Sequence, residues 1–86
     1  MKKEDFTDRG WKLMSEFNNE MKFEKGNIWK DDGQGAFLTV TNNTIKLITT
    51  DKGFYKAAPN CSVKFNGECN SIDEFDMICK MIGLKI

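Results

Sequence analysis

The segment AFLTVTNNTIKLITT, residues 36–50, sets two runs rich in β-branched and apolar residues on either side of Asn42-Asn43. Asn tolerates the positive φ that a two-residue hairpin turn requires, so the pair marks a turn and the runs mark its strands. Pairing Thr41 with Thr44 places Val40 opposite Ile45 and Leu38 opposite Leu47, which makes one face continuously apolar. The other face carries Thr39, Thr41, Thr44 and Lys46, with Phe37 and Ile48 towards its far end. The spacing predicts a hairpin with a core side and a mostly wet side.

Upstream, residues 1–25 admit two readings. Phe6, Gly10, Leu13, Met14, Phe17 and Met21 fall at helical spacing and would make one long amphipathic helix. Alternatively, a short helix ends at Gly10, a left-handed C-terminal cap, and the chain turns into a strand, WKLMSEF. In that strand Trp11, Leu13 and Phe17 alternate with Lys12 and Glu16, and Asn18-Asn19-Glu20 closes a hairpin onto MKFEK. A mid-helix Gly costs about 1 kcal/mol relative to Ala, and the Asn pair repeats the turn chemistry of Asn42-Asn43, so the second reading is preferred. Ile28 and Trp29 then resume an extended pattern, and Asp31-Asp32-Gly33-Gln34-Gly35 reads as a loop.

Downstream, Asp51-Lys52-Gly53 turns the chain into a strand over residues 54–58, which Pro59 ends or confines to a sheet edge. Cys61, Val63 and Phe65 alternate with Ser62, Lys64 and Asn66, and Asn66-Gly67 is the strongest hairpin dipeptide in the chain. Ser71-Ile72-Asp73-Glu74 is a capping box that opens a helix. Ile72, Phe75, Ile78, Cys79 and Ile82 form its apolar stripe, Lys80 sits in its last turn and Gly83 stops it. Leu84 and Ile86 can fold back beneath it. The expected fold is one small α+β domain: an antiparallel meander of four to five strands packed on the C-terminal helix, with a short N-terminal helix. Leu38, Val40, Ile45, Leu47, Val63, Phe65, Phe75, Ile78 and Ile82 are its expected core.

Composition narrows the function classes. A chain of 86 residues with 40 % apolar residues, seven Phe, two Trp and one Tyr supports one core and lacks the signature of disorder. Thirteen cationic and thirteen anionic side chains balance, which argues against a binder that relies on bulk charge. No apolar run approaches the length of a membrane span, and MKKEDFTDRG has no apolar stretch after its basic residues. A soluble cytoplasmic protein without membrane contact is expected. Cys61, Cys69 and Cys79 are odd in number, show no C-x-x-C spacing and have no His to join them, so reduced thiols are expected and neither a disulfide scaffold nor a zinc site.

The same absence of His removes the commonest general base and the usual partner of a cysteine nucleophile. Asp31-Asp32 beside Gly33 reads as turn chemistry, and Gly33-Gln34-Gly35 lacks the Lys and Ser/Thr of a phosphate loop. The expectation is a non-enzymatic chain without a cofactor. Its surplus of aromatics then points to binding: Trp11, Trp29, Phe54 and Tyr55 adjoin turns or strand ends, and Trp and Tyr are enriched at binding hot spots. Trp29 with Asp31 and Asp32, and Phe54 with Tyr55 and Lys56, each combine an anchor with charges that set register. The alternative is a nucleic-acid module. Residues 33–66 hold Lys46, Lys52, Lys56 and Lys64 against Asp51 alone, so Lys46, Lys56 and Lys64 on the wet sheet face would supply cations beside a stacking ring.

An acidic start ending in Gly10-Trp11, a Thr- and Asn-rich meander, then Asn66-Gly67 and Ser71-x-x-Glu74-Phe75 leading to Ile82-Gly83-Leu84, resembles the small accessory proteins of phages and prophages, anti-CRISPR proteins among them. That resemblance covers the whole chain and is one of style. It implies stoichiometric binding to a host or defence protein as inhibitor or adaptor, and it transfers no catalytic or binding residue. A homodimer through a free sheet edge or the final helix is compatible with the same pattern.

Overall fold

The computed structural model describes residues 1–26, 35–50 and 61–84. The chain runs through α1 (Lys3–Thr7), β1 (Lys12–Phe17), β2 (Glu20–Gly26), β3 (Gly35–Thr41), β4 (Thr44–Thr50), β5 (Cys61–Glu68) and α2 (Ile72–Met81). The strands form one antiparallel sheet in sequence order, with both helices against one face. The strand over residues 54–58, the edge role of Pro59, the loop over residues 31–34 and the Ile86 contact lie outside the described residues.

The central hairpin has the expected register: Thr41 pairs with Thr44, Val40 with Ile45 and Leu38 with Leu47. All four apolar members are buried. At its turn Asn42 has φ 53°, and the Thr44 hydroxyl donates to the Thr41 carbonyl at 2.9 Å. The first hairpin repeats the device, with Asn18 and Asn19 at φ 52° and 63° between paired Phe17 and Glu20. So residues 11–25 form the strand pair and not a long helix.

Both helices end as the glycine positions predict. Gly10 has φ 88°, and the bonds Trp11 N–H to the Phe6 carbonyl and Gly10 N–H to the Thr7 carbonyl close α1 in the paired pattern of a left-handed cap. Gly83, φ 71°, does the same for α2 through Leu84 to Cys79 and Gly83 to Lys80. At the start of α2 the Ser71 hydroxyl accepts from the Glu74 N–H at 3.2 Å, while the Glu74 carboxylate reaches past Ser71 to the N–H of Asn70.

Two expectations for β5 fail for local reasons. Asn66-Gly67 is no turn: both residues lie inside β5, opposite Lys46 and Ile45, because the chain beyond them enters α2, where a hairpin would need a strand. A Cβ at Gly67 would stand 3.6 Å from the Phe65 ring, in ordinary van der Waals contact with it. Val63 is 58 % exposed. Between the pairs Leu47–Phe65 and Ile48–Val63, β5 holds one extra residue, Lys64, and this bulge moves Val63 to the face away from the helices. A second bulge at Met14 moves Phe17 likewise: Leu13 pairs with Phe23, but Phe17 pairs with Glu20 and is 76 % exposed.

The core that results is more aromatic than the expected one. Leu38, Val40, Ile45, Leu47 and Phe75 are buried, but so are Phe6, Trp11, Phe23, Ala36 and Cys69. Phe65, Ile78, Ile82 and Leu84 pack partly buried around them. Phe6 stands 5.0 Å from Phe23 and 5.0 Å from Phe75, centroid to centroid, and Trp11 stands 6.1 Å from Phe75. Trp11, expected among the candidate surface anchors, is therefore a core ring. Among the described residues no helix is long and apolar enough to cross a membrane. Leu47→Ala should lower unfolding free energy by about 2–5 kcal/mol, whereas Val63→Ala should change it by less than about 0.5 kcal/mol, measured by urea denaturation.

Candidate functional site

The sheet face away from the helices is a grid whose rows are set by cross-strand pairing. One row reads Lys12, Glu24, Phe37, Ile48, Val63; the next reads Ser15, Lys22, Thr39, Lys46, Asn66; the third reads Phe17, Glu20, Thr41, Thr44, Glu68. Three neighbouring apolar side chains thus line up across β3, β4 and β5, with Phe37 and Ile48 half-buried and Val63 exposed. Lysines 12, 22 and 46 share the face with glutamates 20, 24 and 68, and the Lys22 ammonium lies 3.6 Å from the Glu20 carboxylate. The regional lysine surplus is accordingly offset here by carboxylates of β2 and by Glu68. Lys46 is exposed in the middle row, and Lys64 is exposed at the bulge of β5.

Trp29, Asp31, Asp32, Phe54, Tyr55 and Lys56 lie outside the described residues. The described residues that flank them are close together. Gly26 pairs with Gly35, Gly35 with Thr50 and Thr50 with Cys61, in one line across β2 to β5. With adjacent strands about 4.8 Å apart, the four flanking positions span about 15 Å. The buried Thr50 hydroxyl donates to the Gly35 carbonyl at 3.2 Å and ties the middle of that line. The apolar row of Phe37, Ile48 and Val63 lies two residues, about 7 Å, from it. The sequence pattern placed Val63 in the core and set Phe17 in alternation with Trp11 and Leu13. No residue type at Met14 or Lys64 announces a bulge, so the signal that would have moved them is absent from the chain.

On the helical side a different cluster forms. The Arg9 guanidinium grips the Asp76 carboxylate with two bonds, Nε to Oδ1 at 2.7 Å and Nη2 to Oδ2 at 2.8 Å, and donates a third to the Asp5 carbonyl. Lys25 Nζ donates to the Arg9 carbonyl at 2.7 Å and stands 5.6 Å above the Trp11 ring. This clasp joins α1, β2 and α2 at the rim of the core, beside Cys79. Hydrogen bonding from Arg9 holds the Asp76 carboxyl below its ordinary range. Nearby, burial pushes the Cys79 thiol up to about 11 and raises that of Cys69 as well, which keeps both protonated at neutral pH. Cys61 is exposed at the start of β5.

Across the molecule, an open depression of about 650 Å³ runs between the start of α1 and the two Asn turns, lined by Lys2, Lys3, Glu16, Asn18, Met21 and Asn42 among others. Lys3 and Glu16 face each other there at 3.6 Å. Among the described residues no three His, Cys, Asp or Glu side chains come together as a metal site would require.

Two measurements follow from the clasp and the thiols. A carboxyl held low in the folded state contributes stability that is complete above its unfolded value, about 3.9, and is lost as pH falls through the lower folded value. Wild type should therefore exceed Asp76→Asn in urea midpoint at pH 6, and the two should converge near pH 2. In native protein at pH 8, Ellman's reagent should titrate Cys61 rapidly and Cys69 and Cys79 only at the rate of opening. No family model, no curated protein and no solved structure matches this chain.

Proposed function

We propose that the chain is a non-enzymatic binding module that acts by protein–protein contact, a stoichiometric inhibitor or adaptor of a host or defence protein in the cytoplasm. One observation carries the reading: the apolar row Phe37–Ile48–Val63 lies on the sheet face away from the helices, beside the line of residues that flanks both stretches holding the candidate anchors. The apolar row would supply a desolvated centre, and the candidate residues Trp29, Asp31, Asp32, Tyr55 and Lys56 combine in sequence the aromatic and charged side chains that such a contact uses. The reading as a binder rests further on the chemistry of the side chains. The chain has no His, and two of its three thiols are held protonated. The phage-type partner class rests on the resemblance of the sequence.

Charge balance on the described sheet face favours a protein partner over a polyanion, because Lys12, Lys22 and Lys46 stand among Glu20, Glu24 and Glu68. The test is affinity capture with the intact chain, followed by titration of the captured protein against variants that keep the fold by circular dichroism. Val63→Lys, Trp29→Ala and Tyr55→Ala should each weaken binding at least about tenfold, ~1.4 kcal/mol. A partner indifferent to all three, or catalytic turnover by the purified chain, would overturn the proposal.

A further inference from the structure

The outer face of α2 is exposed and turned away from the sheet. A surface helix normally presents charge on the side opposite its buried stripe. Here Phe75 points into the core, and about 100° per residue places Asp73, Met77 and Lys80 on the opposite side, with Met81 beside them. Met77 is 63 % exposed and Met81 78 %, one turn apart. Asp73 and Glu74 occupy the first turn and Lys80 the last. Asp76 is engaged by Arg9, whereas Lys80 has no ion pair among the described residues.

This pattern is self-complementary. When a copy of the helix is laid antiparallel across the face about an axis near Met77, each Lys80 meets the acidic first turn of the other copy, and the two Met77 side chains meet each other between those charges. A parallel copy would bring like charges together. Antiparallel packing also sets each helix dipole against its opposite. We propose that a second copy of this chain docks on this face, α2 against α2 and antiparallel, with Met77 at the centre and Asp73 and Lys80 as the cross-subunit pair. Such a contact is isologous and closes as a dimer. Ten helical residues extend about 15 Å, so the contact falls well below the roughly 800 Å² per partner of a stable interface. The association is therefore weak and concentration-dependent. It is independent of the binding function proposed above, which uses the other side of the molecule.

Sedimentation equilibrium of the full chain in reducing buffer, from about 0.05 to 1 mM, reads it directly. Wild type should dimerise with a dissociation constant of about 0.1–1 mM. Met77→Gln and Lys80→Glu, each checked for helix content by circular dichroism, should weaken the dimer at least about fivefold. Adding Asp73→Lys to Lys80→Glu should restore it to within about twofold, because the pair is then reversed and not lost. Monomer throughout the range, a dimer unaffected by Met77→Gln, a double variant no better than Lys80→Glu alone, or a dimer that forms only without reductant through exposed Cys61 would each overturn the proposal.

Discussion

Phe6 makes the contact on which the helical layer depends. Its ring meets Phe23 of the sheet and Phe75 of α2 at the same 5.0 Å separation, and it is fully buried. A five-residue helix has no stability of its own, so α1 exists because Phe6 has somewhere to go. Burial of each such ring contributes roughly 2–3 kcal/mol, a large share of the 5–15 kcal/mol that keeps a small domain folded. Trp11 and Phe75 extend the contact, and the clasp of Arg9, Asp76 and Lys25 closes its rim where the side chains meet water. An exposed ion pair adds little by itself. Its geometric consequence is larger, since it fixes the helices at one end of the sheet.

One helical layer can cover only one side of a sheet. The opposite face is then governed by the pleat and by two interruptions of it. At Met14 and Lys64 one strand gains a residue on its partner, and every side chain beyond the interruption changes sides. Phe17 and Val63 are thereby released from the core, and Glu16 turns to the helical side, where it meets Lys3. Both interruptions lie in the outermost strands of the described sheet, which have a neighbour on one side alone among the described residues and can bend without disturbing the central pairing.

The electrostatics of the sheet face away from the helices follow from pairing distant parts of the chain. Lysine predominates over acid between residues 33 and 66, but β2 lies beside β3 and brings Glu20 and Glu24 onto the same surface. Pairing also lines up the flanks of two stretches far apart in the chain, because a meander returns at each second turn to the same end.

The sequence by itself determined the local decisions. Asn18-Asn19 and Asn42-Asn43 specify turns because Asn accepts positive φ, Gly10 and Gly83 end helices for the same steric reason, and alternation in residues 36–50 has one register that buries Leu38, Val40, Ile45 and Leu47 together. Each is settled within a few residues. Asn66-Gly67 carried the same local signal and was overridden, since a hairpin needs a following strand and the chain has a helix there. Only the tertiary structure decided that Trp11 is core, that Phe17 and Val63 are exposed, and that the lysines of the sheet face away from the helices have acidic neighbours. Those outcomes depend on which strand lies alongside and where one residue is in excess, and neither is encoded in the composition of the segment it affects.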